Sequence, residues 1–176
     1  MKNLVEHFGR AHKIILCALC FFSHQLFSQD SAPVYPKLAG YFSVVNPIAT
    51  FSKDGTITNF SSSYTVGFPT GINILKSDKL AFSFEVTPFI KAENGSSKMA
   101  NLLFHPGIVF RRKNRFSITE RLAFETSGRY GTTTVFTKVV KRYQSSNLFL
   151  AIPIPLRFGN GQSTSIGVSF QIGLTF

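Results

Sequence analysis

Residues 165–176 read SIGVSFQIGLTF. Large apolar side chains occupy every even-numbered position of this stretch, and small or polar side chains occupy every odd-numbered position. A period of two over this length indicates a β-strand, because successive side chains of a strand point to opposite faces. One whole face of the strand must therefore lie against a protein core or against lipid.

The same alternation recurs along the rest of the chain. It predicts eight strands, at residues 37–48, 62–75, 79–92, 99–111, 115–126, 131–142, 147–158 and 163–176. The apolar face falls on even numbers in nearly every segment, as at Leu80, Phe82 and Phe84. The segment at 131–142 has the weakest pattern. Eight antiparallel strands of about 12 residues match a transmembrane barrel, in which about 9 to 11 residues cross the bilayer.

The segment from Gly167 to Phe176 resembles the terminal strand by which outer-membrane β-barrel proteins are recognised for insertion, since it alternates and ends in Phe. The whole pattern is similar to that of small, about eight-stranded barrels of Gram-negative outer membranes. The resemblance implies an all-β, closed, antiparallel, up-and-down transmembrane barrel at 37–176, surrounded by outer-membrane lipid. It also implies the barrel-insertion machinery as a partner and carries over no catalytic residue. The insertion signal would comprise Phe170, Ile172, Leu174 and Phe176.

The amino end has the pattern of a secretory signal. Basic residues precede an apolar run at 14–22 that is too short to span a bilayer, and a polar stretch follows at 23–29. We therefore predict a cleaved signal peptide at 1–29, a short lead at 30–36 and the barrel at 37–176. Cys17 and Cys20 both lie in the predicted signal, so the mature chain would have no cysteine.

The charge of the chain is strongly positive. It has 19 basic and 8 acidic residues, and removing residues 1–29 removes three basic residues and Glu6, leaving 16 minus 7, or +9. Export argues against nucleic acid as a partner and leaves anionic lipid, peptidoglycan or no partner. With both chain ends in the periplasm, a basic rim would form on that side from Lys76, Lys79, Arg111, Arg112, Lys113, Arg115, Lys141 and Arg142. This rim would either be simply solvated or attract anionic head groups or peptidoglycan.

Charged residues also fall inside the predicted barrel. An eight-stranded barrel is just wide enough for side chains to fill, so charges there must pair or form hydrogen bonds. We predict a polar cluster that plugs the lumen, with an ion or proton pathway as the alternative. Its members would be Glu85, His105, Arg121, Glu125, Lys138 and Arg157.

Catalysis and metal binding are disfavoured by the residue types present. His105 is the only histidine after residue 29, and no serine lies in a G-x-S-x-G motif. One histidine and no cysteine leave few metal ligands. We therefore predict no enzyme, no cofactor and no metal. The alternatives are a lipid-modifying enzyme that uses His105 as a base, a small-solute or lipid-handling barrel, and a soluble lipocalin-like binder with its apolar face inward.

Two features fit the predicted barrel poorly. Glu120 falls on the apolar, even-numbered face, and we expect a bulge to rotate it inward beside Arg121. Prolines that cannot donate to a ladder occur within the predicted strands, and we expect several bulges or a barrel that is irregular near its rims. These prolines are Pro47, Pro69, Pro88, Pro106, Pro153 and Pro155.

Overall fold

The computed structural model describes residues 34–176. The predicted signal peptide and its two cysteines lie outside the described residues. The described part forms ten β-strands and one turn of 3-10 helix at Lys113–Arg115. The strands are β1 (Lys37–Ser52), β2 (Gly55–Thr58), β3 (Tyr64–Gly67), β4 (Thr70–Leu75), β5 (Leu80–Glu93), β6 (Ser96–Arg111), β7 (Phe116–Glu125), β8 (Tyr130–Arg142), β9 (Asn147–Phe158) and β10 (Ser165–Thr175). Within residues 34–176 no helix has the length and apolarity needed to cross a membrane.

The strands form one antiparallel sheet that closes on itself. Each strand from β5 to β9 pairs with the next one along the chain, and β3 and β4 lie between β1 and β5. Strand β10 then pairs with β1, from Tyr41 opposite Thr175 to Ser52 opposite Ser165. The predicted all-β antiparallel class is confirmed, and the hydrogen-bonded ladders form a ring around an interior that we call the lumen.

The sheet has ten strands where the sequence pattern predicted eight. The segment predicted as one strand at 62–75 is divided into β3 and β4 by Phe68 and Pro69. Pro69 has no N–H to donate, so the ladder cannot continue through it. Two backbone hydrogen bonds nevertheless connect this break to the neighbouring strands. The Phe68 N–H donates to the Pro88 carbonyl (3.0 Å), and the Ser43 N–H donates to the Pro69 carbonyl (2.9 Å).

The second difference lies between the strands predicted at 37–48 and 62–75. Strand β1 continues to Ser52, and β2 pairs with its end as a short hairpin. Lys53 and Asp54 form the turn, and Gly55 follows with a φ of 125°, which residues other than glycine rarely adopt. The chain between these two predicted strands therefore extends the sheet as a hairpin, because Gly55 can adopt the backbone conformation that the tight turn needs.

Burial alternates along the strands and assigns the two faces. Ser83 and Glu85 are 0% and 3% exposed, whereas Phe84 between them is 42% exposed. The even-numbered apolar face is therefore the exterior of the closed sheet, and the small, polar and charged face is the interior. Exterior apolar side chains come from β1 and from β5 to β10, among them Phe42, Phe82, Phe84, Val86, Phe104, Ile108, Phe110, Leu122, Phe124, Phe136, Ile152, Ile166, Phe170, Ile172 and Leu174.

Bulges occur beside two of the strand prolines, as predicted. The β1–β10 ladder shifts register between Pro47 and Ala49, and the β5–β6 ladder shifts between Phe89 and Ile90, directly after Pro88. The extra residue of a bulge interrupts the ladder, so a proline near it, which has no N–H to donate, is more easily tolerated.

Elsewhere the ladder opens without a bulge. Strands β9 and β10 pair at Leu156 opposite Ile166 and again at Ala151 opposite Gln171, and the described ladder has no pair between these points. Pro153 and Pro155 lie in this gap, although both pair in register with β8 on their other side. The β6–β7 ladder has a similar gap beside Pro106. At these three prolines one ladder opens locally, and this opening accommodates the missing N–H without a bulge.

Glycines on the inner face make room for the large side chains of the lumen. A Cβ atom at Gly173 would lie 2.6 Å from Phe149 Cζ and 2.6 Å from the Phe42 carbonyl oxygen. Phe149 belongs to the buried apolar cluster, which it forms with Tyr41, Val135 and Ala151. Small residues beside large ones are how a narrow closed sheet fills its interior.

We expect Gly173→Ala to lower the free energy of unfolding by about 1–3 kcal/mol, because the added methyl group overpacks the interior against Phe149. The measurement is a urea titration of the folded protein in detergent micelles. Gly167→Ala in the same strand is the matched control, since its Cβ would meet nothing closer than Pro155 Cγ at 3.0 Å. Equal losses for the two variants would contradict the packing argument.

Candidate functional site

The carboxylate of Glu85 is the centre of a hydrogen-bonded network in the lumen. Its Oε2 accepts from the Tyr41 hydroxyl at 2.8 Å and lies 3.1 Å from the NH1 of Arg121. Its Oε1 accepts from the Thr87 hydroxyl at 3.1 Å and lies 3.0 Å from His105 Nδ1. Four donors from four different side chains thus surround a carboxylate that is almost fully buried.

Arg121 brings the opposite charge to Glu85 from strand β7. Its NH2 donates to the Tyr41 hydroxyl at 3.0 Å and to the Ser83 hydroxyl at 3.2 Å. Its guanidinium carbon lies 5.9 Å from the centre of the Tyr41 ring. Arg121 therefore joins β1, β5 and β7 across the interior.

Arg157 and Glu125 form a second ion pair toward the end of the lumen where β7 ends and β8 begins. Arg157 Nε donates to Glu125 Oε1 at 2.6 Å. Its NH1 donates to the backbone carbonyls of Thr132 at 2.7 Å and Leu156 at 3.1 Å. Most donors of this guanidinium are therefore satisfied, as a buried charge requires.

His105 connects the two ion pairs. Its Nδ1 faces the Glu85 carboxylate, and its Nε2 lies 3.3 Å from the NH2 of Arg157 and 3.2 Å from the Thr133 hydroxyl. A carboxylate can only accept and a guanidinium can only donate. This geometry fits a neutral imidazole that carries its proton on Nδ1. Two carboxylates and two guanidiniums then leave the network with no net charge.

The structure brings together five of the six residues predicted for the lumen: Glu85, His105, Arg121, Glu125 and Arg157. The prediction was wrong for Lys138. Its even number places it on the exterior of β8 with Phe136 and Val140, and its Nζ donates to the backbone carbonyl of Asn114. Strand alternation carries Lys138 outward because β8 has no bulge before Val139.

Several members of the network were missed at the level of sequence. Tyr41, Ser83, Thr87 and Thr133 donate or accept hydrogen bonds within it. A separate link joins Gln171 Nε2 to the Ser43 hydroxyl at 2.7 Å. These six residues all have odd numbers, so alternation predicts the face on which they lie. Their hydrogen-bond partners depend on contacts across the lumen, which alternation does not predict.

Glu85, His105 and Thr133 follow the order carboxylate, histidine and hydroxyl of a catalytic triad. The Thr133 hydroxyl also lies 3.1 Å from Arg157 NH1, and Thr133 is only 3% exposed. Through these contacts His105 and Thr133 link the two ion pairs by hydrogen bonds.

Glu120 lies on the exterior, so the predicted inward bulge was wrong. The β6–β7 and β7–β8 ladders pass through Glu120, opposite Ile108 and Thr134, without a register shift. The Thr134 hydroxyl donates to its carboxylate at 2.6 Å. A cross-strand hydroxyl thus provides the polar partner that the bulge was expected to provide.

All eight basic residues predicted for the rim are exposed and lie at one end of the sheet. We call it the basic end; it comprises the turns after β4, β6 and β8. The start of β1 and the end of β10 lie there too, since Lys37 pairs with Leu75 and the Gly40 N–H donates to the Phe176 carbonyl at 2.8 Å. Asp78 is the single acidic residue in these turns among the residues described.

The four residues predicted as an insertion signal lie on the outside of the sheet. Phe170, Ile172, Leu174 and Phe176 are all exposed. The Phe176 N–H donates to the Gly40 carbonyl at 2.9 Å, and its ring contacts Gly40. Phe176 thereby extends the pairing that joins β10 to β1.

No protein-family model matches the chain, and no curated protein matches it. Two solved structures are similar in fold, and both are designed proteins. The solution NMR structure of the de novo designed TMB2.3 superposes with a TM-score of 0.47 at 12% identity, covering 84% of this chain and 97% of the design. A structure described as de novo design of transmembrane beta-barrels has a TM-score of 0.45 at 12% identity, covering 82% of this chain and 98% of the design.

We expect Glu85→Gln to lower the free energy of unfolding by about 3–5 kcal/mol, because it leaves the buried Arg121 without its counter-charge. Glu93→Gln is the matched control. Glu93 pairs with Lys91 at 3.0 Å on the surface, where such a pair contributes about 0–1 kcal/mol. Urea titration in detergent micelles measures both variants, and similar losses would show that Glu85 is not the anchor of the network.

Proposed function

We propose that this chain is a transmembrane β-barrel of a Gram-negative outer membrane, with a structural or interaction role in the envelope and no catalytic activity. The observation that carries the proposal is the inverted distribution of side chains over a closed sheet. Large apolar side chains cover the exterior, and the charges are paired in the interior. A water-soluble protein rarely exposes an apolar surface of this extent, whereas lipid-facing strands are built in this way.

Strand length supports the same proposal. Strands β1, β5, β6, β8, β9 and β10 have 16, 14, 16, 13, 12 and 11 residues, and β7 has 10. About 9 to 11 residues are needed for a tilted strand to cross the hydrocarbon region. The lipocalin-like alternative requires the apolar face to point inward, and here it points outward.

The polar network supports a closed lumen. It joins side chains of β1, β5, β6, β7, β8 and β9 at the middle of the sheet. Because β3 and β4 occupy one position in the ring, eight positions surround the lumen, and a barrel of this size has an interior that side chains can fill. The proposed barrel is therefore plugged and does not act as a general pore.

Export and partners belong to the proposal as well. The pattern at residues 1–29 supports a cleaved signal peptide, and the alternating segment from Gly167 to Phe176 supports recognition by the barrel-insertion machinery. Outer-membrane lipid would cover the apolar exterior. The exposed arginines and lysines of the basic end would face anionic lipid or peptidoglycan in the periplasm.

We expect the mature protein to remain in the membrane fraction without detergent and to show heat-modifiable migration in gels after extraction. In a planar bilayer it should conduct no measurable current. The double variant Glu85→Ala/Arg121→Ala removes both charges of the central pair and should open a conducting path through the lumen. The matched control is Lys91→Ala/Glu93→Ala, an ion pair outside the lumen, which should leave the bilayer non-conducting. A wild-type protein found in the soluble fraction, or one that conducts as well as the double variant, would refute the plugged barrel.

The non-catalytic part of the proposal is tested at His105. His105→Ala should leave the lipid composition of the host membrane unchanged, because both imidazole nitrogens are engaged by structural partners. Mass spectrometry of extracted lipids from cells with the wild type, the variant and no protein gives the comparison. A lipid species that appears with the wild type and disappears with a folded His105→Ala variant would establish an enzyme instead.

A further inference from the structure

A cavity of about 710 Å³ occupies the half of the lumen next to the basic end. Its floor includes Tyr41, Arg121 and Gln171, the side of the polar network that faces this end. The network fills the middle of the lumen, and this half remains open. A volume in this range accommodates a small organic ligand.

The walls of the cavity are largely apolar or uncharged. Four different strands contribute the apolar residues of the wall, which are Leu75, Val109, Val135, Val139 and Phe149. Such walls favour a ligand with an apolar body, because binding removes the apolar surfaces of both the ligand and the wall from water.

The mouth of the cavity is cationic. Arg111, Arg112, Arg115 and Arg142 line it and are exposed, and Asp78 is the acidic residue among the lining side chains. Four arginines against one aspartate leave three positive charges at the mouth. Arg121 on the floor adds no net charge, because Glu85 neutralises it. Arginine presents several N–H donors in a planar fork that matches carboxylate and phosphate groups.

Two polar groups of the wall have hydrogen-bonding capacity to spare. Within residues 34–176, Asn73 Oδ1 and Arg121 Nε are buried without a hydrogen-bond partner. Arg121 is 7% exposed, its NH1 faces Glu85, and its NH2 donates to Tyr41 and Ser83. A buried polar atom without a partner is unfavourable, so these two atoms favour water molecules that stay at the edge of the cavity when a ligand binds.

We propose that this cavity binds a small amphiphilic anion, a carboxylate or a phosphate monoester with an apolar body of about the size of two fused aromatic rings. The anionic group lies among the arginines of the mouth, and the apolar body extends toward Phe149 and Val135. The site opens at the end of the sheet and needs no passage through the plugged middle. Binding there is separate from the envelope role proposed above.

The test uses 2-naphthoate as the probe and 2-naphthamide as its neutral counterpart, with the mature protein in zwitterionic micelles. Amide chemical-shift changes are followed by NMR during titration. We expect saturable shifts for 2-naphthoate at residues of the cavity wall, such as Val109, Thr119 and Phe149, and no saturation for the amide. Raising the salt concentration should weaken binding, since the mouth charges are exposed to solvent.

Variants separate the site from general micelle partitioning. Arg111→Gln/Arg142→Gln should weaken binding about fivefold or more, because two charges near the anion are removed. Lys53→Gln/Lys98→Gln is the matched control, with the same change in charge at the opposite end of the sheet, and should leave binding unchanged. Thr137→Phe, which narrows the cavity from its wall, should abolish saturation, and heat-modifiable migration shows that each variant is folded. Binding that is absent, that weakens equally in both double variants, or that persists in folded Thr137→Phe would overturn the proposal.

Discussion

The buried carboxylate of Glu85 is the interaction on which the rest of the interior depends. A closed sheet with an apolar exterior has no aqueous face on which to place a charge, so each internal charge must find its counter-charge inside. Glu85 accepts from Tyr41 and Thr87, pairs with Arg121 and orients His105. His105 in turn presents its Nε2 to Arg157 and so connects Glu85 to the second ion pair. One carboxylate thus organises side chains from most strands of the ring.

Alternation along the chain was enough to divide the residues between two faces, with Phe84 on one and Ser83 and Glu85 on the other. The resemblance to outer-membrane barrels, and not alternation, predicted that the face of Phe84 is the outer one. The strands after residue 79 lie within a few residues of their predicted positions. The same rule correctly applied would have excluded Lys138, whose even number places it outside. The prediction placed Pro69 within a strand that it interrupts, because a hydrophobic pattern carries no information about a missing N–H donor.

The partners of each polar residue could not be predicted, because they are set by which strands meet across the lumen. Tyr41 and Arg121 are 80 residues apart in sequence and 3.0 Å apart between hydroxyl and guanidinium. Glu120 shows the opposite case, where a local cross-strand partner, Thr134, was sufficient and the expected bulge was unnecessary. The cavity also depends on the register between neighbouring strands, because small and apolar residues of several strands must lie at the same height along the lumen to form it.

The gap between β9 and β10 gives the ring a weak seam. Pro153 and Pro155 are two residues apart, so both lack an N–H on the same side of β9, the side that faces β10. On the other edge of β10, the register shift next to Pro47 lies opposite Ser169 and Val168. The middle of β10 is therefore held by fewer backbone bonds than either of its ends. Fluctuations that part the wall would begin there, as a short lateral slit bounded above and below by intact pairing, while the rest of the circumference keeps its shape.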